Sequence, residues 1–340
     1  MKKRVLAILF ALTLVVGMVA ACGDSTPAPA PAPAAEAPAA DTPAADAPAA
    51  DAPAAGGSAR GIFITQDLSN ASQNFSASEF QRLMGDFDIE VTVAGGDVAD
   101  NNRNIELAIA EGYDVIFINP NDIDAVIPGL ERARSEGIIV GLFSSQPPTD
   151  DYPFDFFAGS DDYLGGVQAG EFVSSQFPNG ANFVEVGGQA GHIAATKRYD
   201  GFRDGIAANI IELDSQFVPG PWQTDEARTI MEGFLVAYDN IDIVWCHWDN
   251  GASGVIEAAQ AAGRLDEIFI IGYDGNSTGY QQVQDGVQAL SVGQSFTNMA
   301  LKSLENARIM LDGGTVEKIN WIPVDMVTLD TIDSFPWPAW

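Results

Sequence analysis

The chain has 340 residues, a formal charge of −31 and a hydrophobic share of 46%. That share supports a packed interior and excludes disorder along the whole length, while the acidity makes nucleic acid and anionic membrane surfaces poor partners. Its two cysteines, Cys22 and Cys246, offer no internal disulfide once Cys22 serves the leader described next, so stability must come from a core.

Lys2, Lys3 and Arg4 form a cationic head, 5–16 is almost wholly apolar, and Val19-Ala20-Ala21 sets small residues before Cys22. That order predicts a cleaved signal peptide over 1–21, its apolar run being shorter than the ~20 residues of a membrane-spanning helix. The small residues ahead of Cys22 resemble the lipobox of bacterial lipoproteins, which implies lipidation of Cys22 and an anchor on the outer face of the cytoplasmic membrane. The next segment, 22–59, reads as a linker. Over 26–58 it is nearly all Ala and Pro, with Glu36, Asp41, Asp46 and Asp51 at intervals. Such a stretch builds no core, and polyproline geometry at ~3.1 Å per residue lets it hold a domain up to ~100 Å from its anchor.

Beyond the linker, apolar runs at 61–65, 89–93, 114–118 and 138–143 alternate with polar and helical stretches. Between the last two, Ile123, Val126, Ile127, Leu130 and Ala133 share one helical face. A second set of runs follows at 182–186, 211–218, 241–246 and 268–272. Strands recurring about every 25 residues with helices between them predict parallel βαβ units, hence an α/β protein of two Rossmann-like lobes. In such sheets ligands sit beyond the carboxyl ends of the strands. There the chain reads Thr65-Gln66-Asp67, Asn119-Pro120-Asn121-Asp122, Ser144-Ser145-Gln146, Gly187-Gly188-Gln189, His247-Trp248-Asp249-Asn250 and Tyr273-Asp274-Gly275.

Several of these runs, in their order and spacing, resemble the type I periplasmic binding proteins, in the sugar-binding branch that contains the ribose and galactose/glucose binders. The carriers are Ile118-Asn119-Pro120 with Asp122, Gly159-Ser160-Asp161-Asp162-Tyr163-Leu164-Gly165-Gly166, Lys197-Arg198-Tyr199-Asp200-Gly201-Phe202, Ile271-Gly272-Tyr273-Asp274-Gly275 and Gln294. The similarity spans about 60–330. It implies two lobes joined by a three-crossover hinge that closes over a ligand, with lobe 1 at 60–160 and 295–322 and lobe 2 at 161–294 and 323–332. A tail, 333–340, ends the chain.

The resemblance also implies site residues. Asn74 and Phe75, in the loop after the first strand, match a position where the family sets an aromatic over a sugar face. Asn119, Arg198, Trp222, Asp274 and Gln294 match a ligand amide, a guanidinium fork, a pocket aromatic, a ligand carboxylate and a hinge amide; His192 matches a histidine of the galactose/glucose binder. Ser144 and Ser145 stand where an Asp-Arg pair is usual, Trp248 and Asp162 where amides are usual, which leaves the sugar itself open. Each also has a plainer use. Asn119 and Asp274 can cap turns, Arg198 can pair with Asp200 or Asp204, and the tryptophans can simply pack.

No P-loop and no Gly-x-Ser-x-Gly elbow is present, and His192 and His247 lack further Cys or His for a metal. The reading is therefore a monomeric lipid-anchored solute-binding protein, not an enzyme, that needs no cofactor or metal and delivers a sugar or polyol to an ABC permease. Its rival is a sensory protein presenting a small molecule to a chemoreceptor or sensor kinase.

Overall fold

The computed structural model describes residues 58–149 and 151–334. The expected signal peptide, Cys22, nearly all of the linker and positions 335–340 of the tail lie outside them. Among the described residues no helix is long and apolar enough to cross a membrane.

In chain order the strands are β1 (Ala59–Thr65), β2 (Ile89–Gly95), β3 (Val115–Ile118), β4 (Ile139–Phe143), β5 (Phe156–Ser160), β6 (Ala181–Gln189), β7 (Ile210–Val218), β8 (Ile243–Cys246), β9 (Phe269–Asp274), β10 (Leu290–Gly293), β11 (Ile319–Ile322) and β12 (Asp325–Val327). The helices are α1 (Ala71–Leu83), α2 (Val98–Glu111), α3 (Ile127–Ser135), α4 (Asp162–Gln176), α5 (Ile193–Gly205), α6 (Thr224–Ala237), α7 (Asp249–Ala261), α8 (Ser277–Gln284) and α9 (Phe296–Leu311).

Two sheets result, ordered β11-β5-β4-β3-β1-β2 and β12-β10-β9-β8-β6-β7. β12 is antiparallel to β10, and the other pairings are parallel. The chain crosses between sheets after β5, after β10 and after β11. Each sheet is buried on both faces because successive side chains point opposite ways. In the first, Ile62, Ile64, Ile116 and Ile118 enter one core while Phe63, Val115 and Phe117 enter the other. In the second, Val184, Val186, Val244 and Cys246 face one side, and Phe183, Ile243 and Trp245 the opposite one.

The alternating runs of the sequence therefore become interior strands. Four strands were not predicted: β5, β10, β11 and β12. They are three to five residues long, so no alternation develops along them. The helix predicted from Ile123 starts later, at Ile127, because the Asp122 side chain accepts the N–H groups of Asp124 and Ala125 at 3.0 Å each and turns the chain first.

The packing of α4 on α5 positions part of the site. A Cβ at Gly201 would stand 2.0 Å from the carbonyl oxygen of Tyr163, and one at Gly205 2.1 Å from that of Val167. Only glycine permits this approach, which brings the first turn of α4 beside the middle of α5.

Candidate functional site

A cavity of about 420 Å³ lies where the carboxyl ends of both sheets meet. Asn119, Ser144, Ser145, Asp162, His192, Arg198, Trp222, Trp248, Asp274 and Gln294, all expected from the sequence, line it. Asn74 and Phe75 do not line it, because the segment predicted as a loop is helical from Ala71 onward. The Asn70 side chain caps that helix by accepting the Ser72 N–H at 2.9 Å, which leaves Asn74 exposed and turns Phe75 against the core of the first sheet. The helical register sends Gln73 inward instead.

On the wall from the first sheet, Gln73 Oε1 accepts from the hydroxyl of Thr65 and from Asn119 Nδ2 at 3.0 Å. Asn119 Oδ1 in turn accepts from Ser145 Oγ at 2.5 Å. Thr65, Gln73, Asn119 and Ser145 are all buried, so the chain of bonds fixes each amide's orientation and leaves its remaining donors and lone pairs for the cavity. Gln66, Asp67 and Asn121 complete this side.

On the wall from the second sheet, Arg198 lies buried over the Tyr273 ring, its Cζ 3.6 Å from the centroid. Its Nε donates to Asp162 Oδ1 at 2.8 Å, its Nη1 donates to the His247 carbonyl, and Nη1 stands 3.8 Å from Asp274 Oδ1. Burial works against the guanidinium charge, yet Asp162, Tyr273 and Asp274 hold its pKa above the usual arginine value. Asp274 also accepts from Gln294 Nε2 at 2.8 Å. Burial pushes its carboxyl up to about 8; Arg198 opposes that shift and Asp249 adds to it.

Three rings form a corner of the cavity. Trp222 meets His192 edge-on at 5.5 Å between centroids and Trp248 at 5.5 Å and 89°. Gly188 makes room for Trp222, since a Cβ there would come within 2.1 Å of the indole. Trp248 lies deeper, with its indole against Gly251. His192 Nδ1 accepts the Ala194 N–H at 3.2 Å, which places the ring proton on Nε2, and burial lowers its pKa to about 4, so the ring is neutral. His247, the other histidine, is buried away from the cavity with Nε2 2.6 Å from Glu185 Oε1.

Sequence reasoning passed over Gln73, Gln189 and Asn250, which also line the cavity. Gln189 and Asn250 stood in the post-strand runs, a signal that was available; Gln73 needed the helix register. The cavity combines planar donors and acceptors with flat apolar rings. Ser145 Oγ donates to the Asn119 amide oxygen and His192 Nδ1 accepts a backbone N–H, so these two lining residues do not pair as nucleophile and base.

Residues 42–315 match the family model of the periplasmic binding protein domain. The chain is similar to the ribose import binding protein of Escherichia coli (strain K12), being 30% identical over 224 residues, 66% of this chain and 73% of that protein. Among solved structures it is similar to the periplasmic solute binding protein of an ABC transporter from Actinobacillus succinogenes with bound D-allose. The TM-score there is 0.77, with 20% identity over 82% of this chain and 100% of the other. The fructose-binding periplasmic domain of a hybrid two-component system gives a TM-score of 0.73 and 25% identity over 81% of this chain and 92% of that one.

Proposed function

Since the chain belongs to the periplasmic binding protein domain family, and is therefore a binding protein rather than an enzyme, we propose that it captures a sugar or sugar-like polyol outside the cytoplasm. One observation carries the reading: Asp274, Arg198, Asp162 and the amides of Asn119, Gln73 and Gln294 line one cavity together with the indole of Trp222. Sugar hydroxyls donate and accept at once, and planar carboxylates, amides and a guanidinium satisfy them in pairs. The C–H face of the ring packs on an aromatic. A relative that imports ribose and a fold neighbour that holds D-allose support the class of ligand.

The liganded protein hands its cargo to an ABC permease. The leader and Cys22 support a lipid anchor, with 22–59 as the tether of a monomer. A second reading has one specific support, the likeness to a fructose-binding domain that belongs to a two-component system: the closed form then signals instead of feeding a transporter. Stimulation of a permease's ATPase by the liganded protein favours import, and stimulation of a kinase alone favours signalling.

The ligand class is tested by a thermal-shift screen against pentoses, hexoses, inositols, nucleosides and amino acids. Ligand at a hundred times its Kd adds about 2.7 kcal/mol of stability, a shift of several degrees in a protein of this size. A shift with a sugar or inositol is expected. A shift only with amino acids or nucleosides rejects the assignment.

A further inference from the structure

Asp249 is buried at the first position of α7 and does not line the cavity, yet it gathers more hydrogen bonds than any carboxylate that does. Its Oδ1 accepts from Gln288 Nε2 at 2.8 Å. Its Oδ2 accepts from Ser291 Oγ at 2.7 Å, from the Gly275 N–H at 2.8 Å and from the Asn276 N–H at 3.2 Å. Two glycines clear the space: a Cβ at Gly272 would come within 2.4 Å of Oδ1, and one at Gly279 within 2.1 Å of Oδ2.

Three of those donors, Gly275, Asn276 and Ser291, belong to segments that reach the cavity. Gly275 and Asn276 directly follow Asp274, Ser291 lies on β10 just before Gln294, and Asp249 itself stands between Trp248 and Asn250. Asp274 has φ 119°, a conformation that a residue with a Cβ keeps only when its surroundings enforce it. From the cavity side Gln294 supplies two restraints, its N–H to the Asp274 carbonyl at 2.9 Å and its Nε2 to the carboxylate. From the core side the restraint is Asp249, which holds the next two amides.

We propose that Asp249 is a positioning residue for ligand binding: its buried carboxylate clamps the Gly275–Asn276 turn and so holds Asp274 where it meets the ligand. This rests on the reading of the cavity as the ligand site. The plainer alternative is that Asp249 only steadies the start of α7, and the two differ in what a variant does to Asp274.

The test has two arms on the full chain. Without ligand, amide hydrogen exchange is compared among wild type, Asp249→Asn and Ser291→Ala, the last keeping the charge but losing one donor should Asp249→Asn fold poorly. Exchange about tenfold faster at Gly275 and Asn276, with β6 unchanged, is expected; unchanged exchange at those two amides overturns the proposal. With D-ribose, D-allose and myo-inositol as probes, Asp249→Asn raises the Kd of whichever binds by about tenfold, the scale of losing a charge-assisted bond. In an Asp274→Ala background the same change then adds little, because its route to the ligand is gone. An equal factor in both backgrounds overturns the proposal. Ile256→Ala, a core change on the same helix, lowers Tm and leaves Kd unaltered, so lost stability does not imitate the effect. If wild type binds none of the three probes, the exchange arm alone decides whether Asp249 holds the turn, and the sugar reading is decided separately by the thermal-shift screen.

Discussion

Ser144, Trp222 and Asp274 take φ values of 61°, 42° and 119° without being glycine, and all three line the cavity. Such backbones cost roughly 1–3 kcal/mol each and persist where neighbours over-determine them, which is common at ligand sites. Asp274 combines this with an unusual charge state. Its folded pKa, raised to about 8 by burial, exceeds the roughly 3.9 of an unfolded aspartate. The folded chain thus keeps a proton that the unfolded chain releases between those values, and this residue's contribution to stability falls as pH rises through that window. Asparagine imitates the neutral acid. Asp274→Asn is therefore expected to gain Tm relative to wild type as pH goes from 5 to 8, measured by calorimetry without ligand. A difference that stays flat over that range would mean Asp274 is ionised throughout. In a separate variant, Asp274→Ala raises the Kd of a bound sugar by about tenfold, because the side chain's hydrogen bonds to the ligand are lost.

At the scale of elements, much of the architecture was legible because interior parallel strands announce themselves. Val115-Ile116-Phe117-Ile118 is buried along its whole length, and a continuous apolar run of that length with Asn119-Pro120 behind it has few other uses. β11 and β12 were not legible, since three or four residues at a sheet edge show no period. The second-wall residues sit at strand ends or in motifs that match the family's pattern, so the resemblance reached them. Gln73 was out of reach for a different reason: whether 68–75 is loop or helix depends on the cap at Asn70, and a shift of start by one residue changes which side chain turns inward. Gly201 of α5 was visible in a motif, but its purpose appears only in the packing. Gly201→Ala drives a methyl group into the Tyr163 carbonyl and forces α4 from α5, expected to cost about 1–3 kcal/mol in chemical denaturation. It also moves Asp162 away from Arg198, so a sugar's Kd rises along with the loss of stability; a drop in stability with Kd unchanged would show that the pair tolerates the shift.

For the whole molecule, the decisive feature is that each sheet keeps its own cores. The large apolar clusters divide cleanly among the described residues: strands of the first sheet contribute to two, one of them joined by α9, and strands of the second sheet to the others. Apolar burial therefore holds each half together and does little to hold the halves to one another, which leaves three crossovers as the covalent joint. Under the proposed function the halves move as rigid bodies, and a ligand touching both walls favours the arrangement in which both are in reach. Asn119 belongs to the first wall, whereas Arg198 and Asp274 belong to the second. The proposed function predicts that saturating sugar contracts the protein, seen as a smaller radius of gyration in X-ray scattering. Asn119→Ala keeps the charged wall and so retains weakened binding, but the bridge to the first wall is cut. At saturation this variant should contract less than wild type, because a ligand held by one wall has little differential affinity for the closed state. Full contraction by Asn119→Ala would remove Asn119 from the closing contact and move that role to the neighbouring Gln66 or Ser145.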